Sequence, residues 1–424
     1  MKACILSIGN ELLQGNTLNT NAHNLSAPLF DLGWEVDRHI SLPDRKEDFL
    51  EAMEYVCGTY PLVLVTGGLG PTPDDLTRFF LAEFCKSPLE EKQEALAGIA
   101  AWFSARNRPM LELNRVQALM PQIASVLPNP VGTAPGIGIT IKGTRLFFLP
   151  GVPKEAMYIF NASILPKIAL PNWYKAERTI LIAGIGESTL TDLFKSISLP
   201  YGVYFASLPS PGGVILRIWS FGPTQDSLEV LIAETMQLYL FALEPYKNHI
   251  VSATELTPDA QLHKLLLTNN ITVCLAESCT GGGLGARLSA TPGSSSYFLG
   301  GIIAYSNHIK THLLDVPPST LQEFGAVSEE TALAMAEGVR KKFNAQLSLS
   351  ITGIAGPEGG TPEKPVGTIC FGVSDENISE TCTKKFYGSR HEIRLKAEYF
   401  AIDLLRRKIL LKKALAHLST SNYN

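Results

Sequence analysis

Short apolar runs alternate with helical periodicities along the first 170 residues of the chain. The runs at 3–8 and 62–65 are bounded by turn residues, a pattern typical of buried strands. Between them, apolar positions recur with the spacing of an amphipathic helix at 20–32, where Pro28 should kink or shorten the helix. This alternation predicts a parallel, doubly wound sheet. The remaining predicted elements of this part are strands 36–40 and 145–149, a helix at 49–57 and a helix ending near 164.

The hydrophobic pattern changes twice after residue 170. Residues 172–250 predict a small α+β module with a hairpin connection at 208–213. Thr257 suits an N-cap ahead of Pro258, and a second α/β pattern begins there. The predicted fold class is therefore α/β and multi-domain, with a doubly wound domain at 1–170, an α+β connector at 171–254 and an α/β domain at 255–424. Strands of the last domain are predicted near 271–276, 298–304, 347–351, 366–373 and 381–387, and a closing helix begins near His391.

Composition narrows the class of protein. The 424 residues are 45% hydrophobic and 18% charged, which indicates a globular protein with several cores. A net charge of −4 argues against a nucleic-acid partner, and no apolar run reaches bilayer-spanning length or resembles a signal peptide. Seven cysteines without a Cys-x-x-Cys spacing fit reduced thiols. We therefore expect a cytoplasmic protein without disulfides, a zinc site or a membrane partner.

Glycine-rich and acidic segments of the first domain follow predicted strands, where a doubly wound fold binds ligands. The turn at 67–70 allows close backbone approach to a phosphate. Glu11, Asp74 and Asp75 carry hard oxygen ligands that suit a divalent cation bridging such a phosphate. The pattern suits pyrophosphate chemistry. It is equally compatible with tight turns alone, with one of the aspartates capping the next helix.

The strings at 67–75, 129–136 and 149–153 together resemble the molybdopterin-binding-like domain of the competence/damage-inducible CinA family. The resemblance implies metal-dependent hydrolysis of ADP-ribose to AMP and ribose 5-phosphate, or binding without turnover. It implies Mg²⁺ or a transition ion, with K⁺ as a further candidate. Asn19 and Phe79 depart from the family pattern, in which carboxylates are common at both positions. The implied ligand-binding residues are Asn21, Gly67, Gly68, Gly70, Thr72, Gly132, Thr133 and Gly151, with Glu11, Asp74 and Asp75 as metal ligands.

A second constellation begins where the strand at 271–276 runs into a glycine turn carrying Ser278. Hydroxyls, backbone amides and the positive end of a predicted helix at 284–289 meet there, so the turn can bind a phosphate or hold an oxyanion. A serine nucleophile needs a base within hydrogen-bond reach. A lysine can serve only if burial or a neighbouring cation lowers its pKa. Tyr305 would relay or orient the proton.

Competing readings of these residues exist. Cys279 is intrinsically more nucleophilic than Ser278, but adjacent side chains in a turn rarely reach the same pocket, and free cysteine is often a buried hydrophobe. Ser278 could instead be a helix N-cap. His308 and His312 are spaced to clamp a metal on one helix face, yet they lack an obvious third ligand, which favours exposed helix residues. The Gly-x-Ser-x-Gly elbow of α/β-hydrolases is absent.

The strings at 276–282, 305–307, 325–328, 353–357 and 364–368 resemble the C-terminal domain of the same family, whose activity is nicotinamide-nucleotide amidohydrolysis. The resemblance implies that Ser278 attacks the carboxamide of nicotinamide mononucleotide, without a cofactor, to give ammonia and nicotinate mononucleotide. The family tends to show an acidic residue before its arginine, which this chain lacks ahead of Arg390. The implied catalytic residues are Ser278, Tyr305 and Lys310, and the implied substrate-binding residues are Glu277, Thr280, Gly281, Gly282, Asn307, Ser328, Thr352, Gly353, Lys364 and Arg390.

Taken together, the sequence predicts a homodimeric deamidase of nicotinamide mononucleotide in pyridine-nucleotide salvage. A second, metal-dependent ADP-ribose pyrophosphatase site is predicted in the first domain. The alternative is a non-catalytic regulatory protein, linked to competence or DNA damage, that binds nucleotide or molybdopterin.

Overall fold

The computed structural model describes residues 1–170, 172–252 and 257–421. This part of the chain forms two compact units, one of residues 1–175 with 221–228 and one of residues 176–220 with the chain from 229 onward. The strands of the predicted connector thus belong mainly to the second unit. Position 171, where a domain boundary is predicted, lies outside the described residues, and the division into three domains stays a prediction.

The first unit is built around a six-stranded sheet of order β2-β1-β3-β8-β7-β6. Its elements are β1 Lys2–Ile8, α1 Asn10–Leu13, α2 Thr20–Asp31, β2 Glu35–Leu42, α3 Lys46–Val56, β3 Leu62–Thr66, α4 Thr77–Cys85, β4 Leu89–Glu91, α5 Gln93–Ser104, β5 Leu119–Pro121, β6 Ser125–Leu127, β7 Gly136–Ile141, β8 Thr144–Leu149, α6 Pro153–Ile159 and α7 Leu165–Ile168. A 3₁₀ helix spans Glu112–Ala118, and a π-helical turn joins α6 to α7.

Both faces of this sheet are covered, as the doubly wound prediction requires. Along β1, Cys4 and Leu6 pack into one core, whereas Ala3 and Ile5 pack into another. Alternate side chains of a strand point to opposite faces, so the continuous apolar run reflects burial on both sides. Helix α2 continues past Pro28 to Asp31, so the proline does not shorten the helix.

The sheet is parallel only in part. Strand β1 pairs parallel to β2 and β3, and β3 pairs parallel to β8, as predicted. Strands β7 and β6 add an antiparallel edge. The reason is the two-residue link Lys142 and Gly143, both at positive φ, because such a tight turn joins only antiparallel neighbours.

The second unit carries two sheets, of order β10-β11-β9-β12 and β14-β13-β15-β16-β17. Its elements, three of which extend past the unit's limits, are β9 Tyr174–Ile182, α8 Glu187–Phe194, β10 Val203–Ser210, β11 Gly213–Gly222, α9 Gln225–Ala242, β12 Ile250–Ser252, α10 Pro258–Asn269, β13 Val273–Glu277, α11 Gly283–Ser289, β14 Phe298–Ile303, α12 Asn307–Leu314, α13 Pro318–Phe324, α14 Glu329–Phe343, β15 Leu347–Gly353, β16 Thr368–Asp375, β17 Ser379–Lys385 and α15 Arg390–Ser421. The predicted hairpin is present as the antiparallel pair β10 and β11.

The five-stranded sheet positions the C-terminal constellation. Strand β13 pairs parallel to both β14 and β15, and every residue of β13 is buried. The carboxyl ends of these three strands therefore meet at one edge of the sheet, where α/β folds bind ligands. As predicted, Thr257 caps α10, accepting a hydrogen bond from the N–H of Ala260 at 3.2 Å. None of the helices in the described ranges has the length and apolar composition needed to cross a bilayer.

Candidate active site

Ser278 and Lys310 meet at the carboxyl edge of the C-terminal sheet. Ser278 follows β13 directly, is 8% exposed, and its backbone N–H donates to the carbonyl of Ile351 at 2.9 Å. Lys310 lies on α12, whose N-terminus is capped by Ser306. The Lys310 Nζ is 3.2 Å from the Ser278 Oγ, although 32 positions separate the two residues. The structure thus brings the predicted nucleophile and base within hydrogen-bond distance.

The surroundings of Lys310 favour its neutral form. The side chain is 1% exposed, and burial lowers the pKa of its ammonium below the usual 10.5. Within the described chain, its amine contacts the carbonyls of Ala304 at 2.8 Å and Tyr305 at 3.4 Å besides the Ser278 hydroxyl, and no carboxylate. A neutral amine has two N–H donors for these carbonyls and one lone pair for the serine proton. This arrangement matches a general base.

Cys279 is held away from the same chemistry. It is 6% exposed and packs into the apolar core of the C-terminal sheet. Burial raises the pKa of its thiol to about 12, so the thiolate is not available near neutral pH. The structure therefore favours Ser278 over Cys279 as nucleophile.

Glu277 fills the anion site that the glycine turn was expected to offer. Its buried carboxylate accepts hydrogen bonds from the backbone N–H groups of Gly282 at 3.0 Å, Leu284 at 3.1 Å and Gly285 at 2.8 Å. The N–H of Gly281 donates to the Ser278 carbonyl at 3.1 Å. The amides of Gly281 and Gly282 are consequently used by the turn itself, which corrects the prediction that they bind a phosphate or an oxyanion.

Two other amides of the turn remain available. The N–H groups of Cys279 and Thr280 have no acceptor elsewhere in residues 1–170, 172–252 or 257–421. These amides belong to the two residues that directly follow Ser278, and such donors can stabilise an oxyanion. The N-cap of α11 is Gly282, so Ser278 is not a helix cap and that alternative is wrong.

Tyr305 is paired with Arg390 rather than with Ser278. The Tyr305 ring is 61% exposed, and its hydroxyl accepts a hydrogen bond from the Arg390 Nη2 at 3.0 Å. The same guanidinium donates to the carbonyl of Gly356 at 2.7 Å. The expected proton relay through the Tyr305 hydroxyl is thus absent from the described contacts, because this hydroxyl faces a cation. What Tyr305 supplies to Lys310 is its carbonyl oxygen.

Three predicted substrate-binding side chains organise neighbouring loops instead. Thr352 donates its hydroxyl to the carbonyl of Ala326 at 2.6 Å, and Lys364 donates its ammonium to the carbonyl of Phe324 at 2.8 Å. Ser328 caps α14 through its hydroxyl. These contacts hold the segment between α13 and α14 at the edge of the sheet.

The remaining predicted residues lie near the same edge. Asn307 is the exposed first residue of α12, and Gly353 ends β15, where a Cβ would approach Ile369 to 2.3 Å. Thr280 is fully buried, and its carbonyl accepts from the Arg394 Nη2 at 2.5 Å. Arg394 was not predicted, because it lies 114 positions away on α15 and carries no local signal. It supports the turn that bears Ser278.

The pair His308 and His312 shows no metal-site geometry. The two exposed rings lie 3.8 Å apart, and the Nδ1 of His312 lies 3.0 Å from the carbonyl oxygen of His308. Across the described ranges, no group of three or more His, Cys, Asp or Glu is arranged to hold a metal ion. The reading as exposed helix residues is confirmed.

In the first unit, a cavity of about 360 Å³, here called the glycine-turn cavity, lies at the carboxyl ends of β1, β3 and β8. Gly67 adopts φ 107°, and a Cβ there would lie 2.1 Å from the carbonyl oxygen of Ile8, so only glycine fits. Asn21 donates its amide to the Gly151 carbonyl at 2.7 Å and thereby anchors the opposite wall. The predicted residues that line this cavity are Glu11, Gly67, Gly68, Gly70, Asp74, Asp75, Thr133 and Gly151.

Two residues that sequence reasoning did not assign hold the glycine turn. Arg78 is 1% exposed and donates to the carbonyls of Leu69 at 2.5 Å and Gly70 at 3.1 Å. Burial lowers the pKa of its guanidinium to about 10. Thr77 donates its hydroxyl to the Gly67 carbonyl at 3.1 Å. Both residues lie just after the turn in sequence, and this proximity could have identified them. A buried arginine needs several hydrogen-bond acceptors, and the carbonyl oxygens of the turn supply them.

The predicted metal ligands share this cavity without forming a finished site. The Asp75 carboxylate accepts from the Thr72 hydroxyl at 2.5 Å, and Leu76 rather than an aspartate occupies the N-cap of α4. Asp44, which was not predicted, also lines the cavity. Burial raises the pKa of its carboxyl, and the charges of Glu11, Asp74 and Asp75 act in the same direction.

The expected three-carboxylate ligand set is therefore not preassembled in the described chain. Even so, oxygen donors at a glycine turn fit Mg²⁺, which is usually held by one or two carboxylates together with substrate phosphates.

The two departures from the expected carboxylate pattern have distinct placements. Asn19 caps α2 by accepting from the N–H of Ala22 at 3.1 Å, and it accepts from the Ser7 hydroxyl at 3.3 Å. A neutral amide oxygen performs this capping as well as a carboxylate. Phe79 lies on α4 and is 36% exposed.

Comparison with known proteins matches both halves of the chain. The model of the CinA C-terminal domain matches residues 256–409, and that of a probable molybdopterin binding domain matches residues 4–169. A CinA-like protein of Geotalea daltonii is 37% identical over 97% of this chain and 100% of its own length. A CinA-like protein of Dictyoglomus turgidum is 39% identical over 97% and 100%.

A solved structure, that of a competence or damage-inducible protein from Enterobacter asburiae, is 34% identical. It covers 37% of this chain and 99% of its own chain, with a TM-score of 0.35.

Replacing Glu277 by glutamine tests whether this carboxylate fixes the turn. Glu277→Gln places an amide N–H₂ against amide donors, so hydrogen bonds to a charged acceptor are lost, each worth about 1.5–3 kcal/mol. We expect a lower midpoint of thermal unfolding, measured by calorimetry. Glu330→Gln, at a carboxylate in the first turn of α14, serves as control. An unchanged midpoint in Glu277→Gln would contradict the assigned role.

Proposed function

We propose that this chain, which belongs to the CinA family, hydrolyses the carboxamide of nicotinamide mononucleotide through Ser278. The observation that carries the proposal is the buried contact between the Ser278 hydroxyl and the Lys310 amine. A serine hydroxyl is a weak nucleophile at neutral pH, and an amine of lowered pKa within hydrogen-bond reach is the group that activates it.

In the first half of the reaction, the neutral Lys310 amine takes the proton of the Ser278 hydroxyl as Oγ attacks the carboxamide carbon. The carbonyl oxygen becomes an oxyanion, and the unpaired amides of Cys279 and Thr280 are the donors nearest in sequence to stabilise it. The protonated Lys310 then gives its proton to the leaving nitrogen. Ammonia departs, and an ester of Ser278 remains.

In the second half, water replaces ammonia in the same position. Lys310, neutral again, takes a proton from the water, whose oxygen attacks the ester carbonyl. Collapse of the second tetrahedral intermediate returns the proton to Ser278 Oγ and releases nicotinate mononucleotide. The reaction consumes one water for each ammonia and needs no cofactor.

Arg390 is the proposed partner of the substrate phosphate. It is exposed, and it is fixed by its contacts to Tyr305 and the Gly356 carbonyl. A guanidinium held in this way retains further N–H donors for phosphate oxygens. Tyr305 then acts by positioning Arg390.

The two residues of the proposed dyad are tested by substitution. We expect Ser278→Ala to lower kcat by about 10⁴-fold or more, because the covalent route is lost. Lys310→Met should lower kcat by about 10²–10⁴-fold, the range of general-base catalysis. Release of ammonia from nicotinamide mononucleotide measures both.

Cys279→Ala is the matched control, since the buried thiol has no proposed chemical role and should leave most of the rate intact. Loss of activity in Cys279→Ala with retention in Ser278→Ala would reverse the assignment of the nucleophile. A wild-type protein that binds the nucleotide but releases no ammonia would point to the regulatory, non-catalytic alternative.

The pH dependence follows from the direction of the Lys310 shift. Only the neutral amine accepts the serine proton, so kcat/KM should rise with pH while Lys310 deprotonates and level off above its pKa. Because burial lowers that pKa, the inflection should lie below 10.5. The pH profile of kcat/KM in the wild type measures it. An inflection at or above 10.5 would show that Lys310 keeps an ordinary pKa and would contradict its role as the base.

A second function is favoured by the glycine-turn cavity, which combines close backbone approach with five acidic side chains. We propose that it hydrolyses ADP-ribose to AMP and ribose 5-phosphate with a divalent cation. When bound, the cation would supply charge neutralisation to the pyrophosphate. Glu11, Asp74 and Asp75 would hold it, and the turn at 67–70 would receive the phosphates.

Removal of the metal should separate the two proposed activities. We expect EDTA to abolish formation of AMP from ADP-ribose while leaving release of ammonia from nicotinamide mononucleotide unchanged. Asp75→Asn should likewise lower AMP formation, whereas Glu54→Gln, at an exposed carboxylate paired with Lys142, should not. Chromatography of the products measures AMP. AMP formation that persists in EDTA would contradict the metal-dependent route.

A further inference from the structure

A larger cavity of about 500 Å³ lies beside the glycine-turn cavity in the first unit. Alanine, proline, glycine and aliphatic residues form most of its wall, with Trp102 and Tyr158 as the aromatic members. A concave, mainly apolar space of this size falls in the range of small-molecule sites, about 300–1,000 Å³. We call it the Trp102 cavity. The proposed phosphate chemistry does not account for it.

Two buried polar atoms of this wall lack hydrogen-bond partners in the described chain. The Trp102 Nε1 is a donor without an acceptor, and the Asn129 Oδ1 is an acceptor without a donor. The Asn129 side chain is 8% exposed, and its Nδ2 donates to the Ala134 carbonyl at 2.8 Å and the Glu155 carboxylate at 2.6 Å. Both partners are acceptors, so the orientation of the amide is fixed. Buried polar atoms are rarely left unpaired, so this pair leaves one donor and one acceptor open to a ligand that supplies the complementary groups.

The Trp102 cavity adjoins the proposed phosphate site. Thr133 lines both cavities. Gly132 lines the Trp102 cavity, and the Glu155 carboxylate of the glycine-turn cavity packs so closely on it that a Cβ would overlap the carboxyl carbon. An apolar cavity with two unpaired polar atoms thus stands next to an acidic, glycine-rich one. A nucleotide has the same division into a flat, apolar base and an anionic phosphate end.

We infer that the Trp102 cavity binds the purine base of the nucleotide whose phosphates occupy the glycine-turn cavity. A purine offers ring nitrogens that accept from the Trp102 N–H, and adenine offers an exocyclic amino group that donates to the Asn129 Oδ1. The apolar wall contacts the faces of the base. The guanidinium of Arg106 lies 4.0 Å from the centre of the Trp102 ring and covers one face of the indole. The indole therefore contacts the base through its N–H edge and not through this face. The inference rests on the proposed nucleotide chemistry of the first domain.

Gly98 allows the cavity to be filled without disturbing the phosphate site. It lies in α5, lines the Trp102 cavity, and has no heavy atom within 4 Å of a Cβ placed on it. Gly98→Leu therefore adds a side chain in open space at an ordinary helical position. Ala100→Leu adds the same side chain at an exposed position of the same helix that does not line the cavity, and is the matched control. Trp102→Phe removes the unpaired donor and keeps an aromatic ring.

The test measures binding of AMP, UMP and ribose 5-phosphate to the full chain in Mg²⁺ by titration calorimetry. We expect AMP to bind the wild type at least about 10-fold more tightly than ribose 5-phosphate or UMP. Gly98→Leu should abolish most of this advantage, Trp102→Phe should reduce it about three- to tenfold, the worth of one hydrogen bond, and Ala100→Leu should retain it. Affinity for ribose 5-phosphate should be equal in all four proteins.

Equal affinity for AMP and ribose 5-phosphate in the wild type, absence of AMP binding, or unchanged AMP affinity in Gly98→Leu would overturn the inference. Equal affinity for AMP and UMP would overturn its restriction to purines. Hydrolysis of ADP-ribose is assayed separately. Base-dependent AMP binding without hydrolysis of ADP-ribose would support the base site and contradict the pyrophosphatase activity. Hydrolysis of ADP-ribose with no effect of Gly98→Leu on AMP binding would support the pyrophosphatase activity and contradict the base site.

Discussion

The candidate active site depends on the burial of one amine. Lys310 is enclosed against two carbonyls and the Ser278 hydroxyl, with no carboxylate among its contacts in the described chain. A carboxylate at the same distance would hold the ammonium in its charged form and would remove the base. Neutral acceptors satisfy its N–H groups while desolvation disfavours the charge, so the same burial supports both the packing and the proposed chemistry.

The turn before α11 shows how a protein can occupy its own anion site. Free N–H groups at a helix start attract anions, and here the Glu277 carboxylate takes three of them. The turn is thereby made rigid around Ser278, and the donors left over are those of Cys279 and Thr280. With this internal carboxylate in place, the amides that it occupies are not available to a bound phosphate, which agrees with the proposed oxyanion chemistry.

The glycine turn of the first unit is held by side chains that donate to its carbonyl oxygens and, among the described residues, not by a carboxylate on its amides as in the turn before α11. Thr77 and Arg78 hold this turn through its carbonyl oxygens, and the N–H of Gly67 donates to the carbonyl of Leu149 at 3.0 Å. Acidic side chains line the glycine-turn cavity, and the apolar Trp102 cavity adjoins it. The neutral Asn19 keeps the capping contact of α2, so its departure from a carboxylate affects charge and not local structure.

The sequence by itself determined the fold class and the main strands of the sheets. Apolar periodicity located those strands to within a few residues, since burial on both faces leaves a continuous apolar run, whereas the short strands β4, β5 and β12 and helices α4 and α5 were not predicted. The family resemblance also singled out Ser278 and Lys310, although 32 positions separate them in the chain. The antiparallel edge formed by β6 and β7 was missed, because its signal is the conformation of a two-residue turn and not hydrophobicity.

Only the tertiary structure decided how individual polar groups are used. It paired Tyr305 with Arg390, turned Ser328 and Thr352 to loop contacts and brought Arg394 to the turn that bears Ser278. A hydroxyl or an amide can satisfy several partners equally well. The residue type therefore determines which hydrogen bonds a side chain can form. Only the packing of elements that are distant in sequence determines which partner it has.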